Sequence, residues 1–235
     1  MSVRAVFLDL GGVFYLPDHD RMVAALARLE LAIERDRLDE AHYHGVAALE
    51  SFRDGDGTIW HAYNRAYAHV CGVSPADVDS ALPILLEEFE RGGIWTRVIP
   101  GAPEALRELV RRGYRIAVVS NADGTVEAQL RHDGICQVGP GPGVPVELIL
   151  DSAVVGVSKP DPAIFALALD ALGVEPAETV HVGDTPAADV VGARAAGVTP
   201  ILVDPYGLHR DLDCQRVRGL GDVLALLDSD APATE

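Results

Sequence analysis

VFLDLGGVF, residues 6–14, is the stretch on which the reading of this chain turns. Residues 3–8 form a mainly apolar run with β-branched members, and the run stops at Asp9, just ahead of Gly11 and Gly12. A short apolar run closed by an acid and a turn signal reads as a buried strand with a carboxylate at its carboxyl end.

The same device recurs downstream. Residues 115–119 read as a strand ending at Ser120 and Asn121, and residues 179–182 as one ending at Gly183 and Asp184. Around them lie helical patterns over 102–112, 124–132, 163–172 (stopped by Gly173) and 186–196 (closed by Gly197). Residues 147–150 and 200–203 are strand-like, and 222–227 form a short final helix. GPGPGVP, residues 139–145, reads as a loop. Strand–helix alternation predicts an α/β fold with a doubly wound, Rossmann-like parallel sheet.

Between residues 18 and 91 the texture changes. Apolar residues recur at helical spacing: Met22, Leu26 and Leu29; Leu38, Val46 and Leu49 with His42 in step; Trp60, Tyr63, Tyr67 and Val70; then residues 82–89. Ser74 and Pro75 look like a helix start. This predicts about four helices with no strand between them. The expected organisation is a core over 1–16 and 93–235, with an all-helical cap over 17–92 inserted after the first strand.

Composition narrows the function. Of 235 residues, 49% are hydrophobic and 23% charged, as in ordinary globular proteins; only the SDAPATE tail, 229–235, reads as frayed. The formal net charge of −17 disfavours nucleic acid and anionic membrane surfaces as partners. It would also repel an anionic small substrate, so a site for one must gather local positive charge from a metal, a lysine or helix N-termini. Cys71, Cys136 and Cys214 are scattered and form no CxxC pair, which fits a reducing, cytoplasmic setting. No apolar run approaches the roughly 18 residues that cross a membrane, and the N-terminus carries an acid too early for a signal peptide.

Four features carry chemistry: Asp9, Ser120, Lys159 and the pair Asp184/Asp189. In an open parallel sheet, ligands bind in the crevice at the carboxyl ends of the strands. The chain has 19 Lys plus Arg, and Lys159 is its one lysine. A sequence so biased toward Arg that keeps an ammonium before Pro160 points to a need for a compact point charge. Asp184 and Asp189, on a loop and the first turns of a helix, suit a hard cation with oxygen ligands, Mg²⁺ rather than Zn²⁺. Taken singly, each acid also reads as a turn or helix cap, and Ser120 as a turn residue. Their joint order is the specific signal.

That order resembles the haloacid dehalogenase-like superfamily of hydrolases. VFLDLGGVF is similar to its first motif, with Asp9 at the nucleophile position; VVSNA to the second, with Ser120; VSKPDP to the third, with Lys159; VGDTPAAD to the fourth, with Asp184 and Asp189. The resemblance implies a phosphatase of a small phosphorylated metabolite. The Asp9 carboxylate would form an aspartyl-phosphate that water then cleaves. Ser120, Asn121 and Lys159 would hold the phosphoryl group. Asp9, the Gly11 carbonyl, Asp184 and Asp189 would hold Mg²⁺, with either Asp184 or Asp189 as the direct ligand.

One position departs from the pattern. Phosphatases of the family usually carry a second acid two residues after the nucleophile, and here that residue is Gly11. General acid help is worth roughly 10²- to 10⁴-fold. Tyr15, Asp18, His19, His42 and His44 are the candidates to supply it from the cap. His42 and His44 are two apart and share no helix face, which argues against a two-His metal site. Trp60, Tyr63 and Tyr67 read as packing, and Arg53 and Asp54 as part of a Gly-containing turn that could face a site. Two other functions compete: a non-catalytic phosphate- and metal-binding module, and a 2-haloacid dehalogenase-type hydrolase. The resemblance sets the latter back, since that branch works without metal and typically carries an aromatic residue where Gly11 stands.

Overall fold

The structure is a computed structural model that describes residues 3–31, 33–50 and 59–229. Arg53, Asp54 and residues 230–235 lie outside the described residues. In chain order the strands are β1 (Ala5–Leu8), β2 (Tyr15–Pro17), β3 (Trp95–Val98), β4 (Arg115–Ser120), β5 (Cys136–Val138), β6 (Val144–Val146), β7 (Leu148–Asp151), β8 (Thr179–Gly183), β9 (Thr199–Val203) and β10 (Gln215–Val217).

Six of them form a parallel sheet in the order β10-β9-β8-β1-β4-β7. All four residues of β1 are fully buried, as a strand covered on both faces requires. The chain leaves β1 for β4 on one side and returns to β8 on the other, so β1 lies at the topological switch point. Register then decides what meets there. Leu8 pairs with Val118 and with Val182. Asp9, Ser120 and Asp184 lie one or two residues beyond that row, along one edge of the sheet.

The chain divides into two compact units. The first comprises Met1–Phe14, Pro100–Pro205 and Leu212–Glu235 and carries the sheet. One layer of its core sets Phe7, Ala117 and Val119 against Ile164, Phe165 and Ala168 of the helix Pro162–Leu172. That helix starts at an Asp161 cap, whose side chain accepts from the Ala163 amide, and stops at Gly173 with φ 59°.

Two segments of this unit differ from the sequence reading. Val144 and Pro145, read as loop, belong to β6, which pairs with β5 in a two-stranded parallel ribbon. Buried Gln137 supports it: its amide donates to the Gly139 and Gly143 carbonyls at 3.2 Å and accepts from the Gly143 N–H at 2.8 Å. One side chain thus supplies partners that this Gly/Pro-rich backbone lacks. The helix read over 186–196 is a wide π-type turn, Pro186–Val190, followed by an α-helix, Val191–Ala195. β10 had no periodic signal.

The second unit comprises Tyr15–Ile99 and Tyr206–Asp211. Its helices among the described residues are His19–Ala27, Leu38–Leu49, Ile59–Val70 and Val78–Glu90. Met22, Leu26, Leu38, Tyr63, Tyr67 and Leu85 form their shared core, which places Tyr63 and Tyr67 in packing. Ser74 and Pro75 open a turn rather than the helix: the Ser74 carbonyl accepts from Asp77 and Val78, where the helix begins. β2 and β3 pair antiparallel within this unit, an element too short to leave a periodic trace.

Candidate active site

β1 ends by donating the Asp9 N–H to the Val182 carbonyl at 2.9 Å, which fixes the Asp9 backbone between its neighbouring strands. Lys159 arrives from the loop before the helix Pro162–Leu172. Its Nζ lies 2.8 Å from Asp9 Oδ1 and 2.6 Å from Asp189 Oδ1, with its side chain 1% exposed. Asp9 Oδ2 has no hydrogen-bond partner among the described residues. Ser120 is buried at the end of β4, and its hydroxyl likewise has no partner among the described residues.

Asp189 is fully engaged. Its Oδ1 accepts from Lys159 Nζ and from His181 Nε2 at 2.8 Å, and its Oδ2 accepts from the Thr185 N–H at 2.9 Å. Asp184 Oδ1 accepts from the Thr185 hydroxyl at 3.0 Å. Two glycines make room for these acids. A Cβ on Gly12 would sit 2.2 Å from Asp184 Oδ2, and Gly12 also holds φ +63°. A Cβ on Gly183 would sit 2.2 Å from Asp189 Cγ.

Asn121, expected at the phosphoryl group, turns its side-chain amide to the backbone of Lys159. Its Nδ2 donates to the Lys159 carbonyl and its Oδ1 accepts from the Lys159 N–H, both at 2.8 Å. Its amide therefore holds the Lys159 backbone.

Burial pushes the Asp9 carboxyl up to about 7; the Lys159 charge opposes this, and Asp189 and Asp184 add to it. Asp189 is buried too, yet the Lys159 charge and the His181 hydrogen bond hold it well below the usual carboxylate range. Burial disfavours the Lys159 ammonium, but the Asp189 and Asp9 charges more than offset this, and its pKa is raised. Oxygens of Asp9, Asp184 and Asp189 lie within 4.8 Å of one another, all buried. Three carboxylates against one ammonium leave surplus negative charge, which adds to the burial that raises Asp9. An all-oxygen donor set with that surplus fits a hard divalent cation. Asp189 has both oxygens on protein donors.

The cap candidates for a proton donor each have a local partner or are fully enclosed. Asp18 caps its helix, accepting from the Arg21 N–H at 2.9 Å and from the Thr96 hydroxyl at 2.7 Å. Burial opposes, but these hydrogen bonds hold its carboxyl below the ordinary value, which suits an acceptor rather than an acid. His19 pairs with Asp39 at 2.8 Å, His44 with Glu40 at 3.3 Å, and His42 Nδ1 with the Tyr63 hydroxyl at 3.0 Å. Tyr15 is fully buried.

His181 and Thr185 were not singled out from the sequence. The available signal was a histidine in the middle of an otherwise apolar strand, TVHVG. Asp151 was missed as well. It accepts from the Gly124 and Ala153 N–H groups at 2.8 and 3.0 Å and so fixes the loop after Ser120.

The chain is similar to known proteins. A family profile described as haloacid dehalogenase-like hydrolase matches residues 3–197. The phosphoserine phosphatase of Thermus thermophilus is 39% identical over 120 residues, 51% of this chain and 46% of that protein. The ribulose-1,5-bisphosphate 5-phosphatase of Halopiger xanaduensis is 31% identical over 216 residues, 86% of this chain and 84% of that one. A 2-haloacid dehalogenase structure from Pseudomonas syringae pv. Tomato aligns with TM-score 0.56 and 25% identity, covering 97% of this chain and 100% of that one. The chain spans about half the length of the first curated relatives it matches.

Proposed function

This chain belongs to the haloacid dehalogenase-like hydrolase family, and from that premise we propose that it is a cytoplasmic, magnesium-dependent phosphatase of small phosphorylated metabolites. One observation carries the reading. Asp9 has one oxygen held by the buried Lys159 ammonium and the other without a partner among the described residues, beside two more carboxylates. A relative matched over most of both chains is itself a phosphatase, which supports the choice within the family. Among the described residues no helix is long and apolar enough to cross a membrane.

The chemistry follows from the placement. Asp9 Oδ2 attacks phosphorus, the ester P–O bond breaks, and the alcohol leaves as its oxygen takes a proton from solvent. Water then attacks the phosphorus of the aspartyl-phosphate, its bond to Asp9 breaks, and inorganic phosphate leaves with the carboxylate restored. The Lys159 ammonium and the Ser120 hydroxyl bind phosphoryl oxygens, where positioning and charge neutralisation supply most of the catalysis. Mg²⁺ held by Asp9, Asp184 and the Gly11 carbonyl would neutralise phosphoryl charge, with Asp189 behind it anchoring Lys159. This answers the demand for local positive charge in a chain of net charge −17.

Hydrolysis of p-nitrophenyl phosphate and of an alkyl sugar phosphate, each with Mg²⁺ and with EDTA, tests the reading. Both rates should fall in EDTA by about 10³-fold. Gly11 supplies no acid, so the aryl ester should turn over faster than the alkyl ester by roughly 10²-fold or more. No Mg²⁺-dependent release from either ester would overturn the proposal and direct attention to a binding role or to halide release from 2-haloacids.

Melting gives a readout that needs no substrate. The folded Asp9 carboxyl, at about 7, sits above its unfolded value of about 3.9. The folded state therefore takes up a proton there, and without metal its stability falls as pH rises from about 4 to 7. Mg²⁺ competes with that proton. At saturating Mg²⁺ the melting temperature should rise by about 5 °C at pH 8 and by less than about 2 °C at pH 5.5. Equal shifts at both pH values would remove Asp9 from the metal site.

A further inference from the structure

We infer that His181 is a positioning residue that fixes Asp189, and through it the Lys159 ammonium, against Asp9. The inference rests on the phosphatase reading and extends it to a residue with no contact to substrate.

His181 lies in the middle of β8, in register with Phe7 of β1, and is fully buried. An ionised carboxylate only accepts hydrogen bonds, so His181 Nε2 carries the proton and donates to Asp189 Oδ1. The same oxygen accepts from Lys159 Nζ at 2.6 Å. Asp189 is thus held from two sides, by His181 on Oδ1 and by the Thr185 N–H on Oδ2. Its carboxylate plane is held by two contacts besides Lys159. The imidazole is itself set by the strand and by the Phe165 ring, whose centroid lies 4.9 Å away at 84°.

The consequence is geometric. Lys159 ends a flexible four-carbon stem between two carboxylates, 2.8 Å from Asp9 and 2.6 Å from Asp189. Asn121 fixes its backbone, while among the described residues Asp9 and Asp189 hold its ammonium. If Asp189 turns, the ammonium follows it or shifts toward Asp9. A displacement of about 1 Å at a reacting centre can cost about 10²-fold in rate. The loss should fall on the transition state, where phosphoryl charge is redistributed, more than on substrate binding.

The lone lysine makes this observable. Protein labelled with ¹³C at the lysine Cε should give a single lysine Cε–Hε cross-peak, from Lys159. His181→Phe, of similar size and without a donor, should lower kcat on p-nitrophenyl phosphate by about 30-fold or more and change KM by less than about threefold. It should also move the Lys159 cross-peak. His181→Gln, which can present an amide N–H to Asp189, should restore the peak position and most of kcat. If His181→Phe folds with the wild-type peak and kcat, the inference falls. It also falls if His181→Gln behaves like His181→Phe. Should His181→Phe not fold, His181→Gln set against His181→Met decides on the same two readouts. A wild-type protein inactive on the ester would sink the phosphatase reading, while the cross-peak would still test the link from His181 to Lys159.

Discussion

Asp9→Asn should abolish ester hydrolysis, by about 10⁴-fold or more, while leaving the protein folded. The two side chains are nearly isosteric, so the pocket keeps its shape, and a neutral amide is a far weaker nucleophile than a carboxylate. Stability is the second half of the expectation. Asp9 is the acid whose ionisation the buried cluster opposes, as its shift to about 7 records. Asn at this position removes one of three crowded negative charges and leaves the Lys159–Asp189 pair in place. The metal-free variant should therefore melt at or above the wild-type temperature at pH 8, with a smaller gain on adding Mg²⁺. Activity and melting then move in opposite directions, which separates loss of a nucleophile from loss of fold. Retention of more than about 1% of the wild-type rate would take the nucleophile role away from Asp9.

The sequence made the sheet legible because its strands are buried on both faces. Such strands read as mainly apolar runs, and AVFL of β1 and TVHVG of β8 end abruptly at Asp9 and Asp184. Parallel register does the rest. What the sequence hid was of two kinds. Very short elements, β2, β6 and β10, leave no periodic trace, and β6 lies inside a Gly/Pro run held by a side chain seven residues upstream of Val144. The partition of work among polar residues was hidden as well. Two aspartates five apart look equivalent on paper, and only their partners separate them: Asp189 is tied to Lys159, His181 and the Thr185 N–H, while Asp184 accepts from the Thr185 hydroxyl and lies against Gly12. Nor does the sequence show that the Asn121 amide bonds the backbone of Lys159, 38 residues away.

Lys159→Arg should lower kcat by about 10²- to 10³-fold even though it keeps the charge. The chain has 18 other cations, all arginine, and this position alone is lysine. The site gives the reason. An ammonium has three donors on one atom. Two go to Asp9 and Asp189 at 2.8 and 2.6 Å, and the third is left for a phosphoryl oxygen. A guanidinium spreads its donors over a rigid plane and is bulkier than an ammonium, in a pocket where the side chain is 1% exposed. It must push Asp9 aside or withdraw from Asp189. Lys159→Met separates charge from shape. It keeps a flexible stem of similar length but leaves Asp189 buried with no cation, a change that costs about 3–5 kcal/mol when one partner of a buried pair is removed. Lys159→Met should therefore lose both activity and melting temperature, whereas Lys159→Arg should lose activity with a smaller loss of stability. Measuring kcat and melting for the two side by side tells them apart. If Lys159→Arg retains wild-type kcat, the ammonium is no more than a counterion, and its place at the reacting phosphoryl group falls with it.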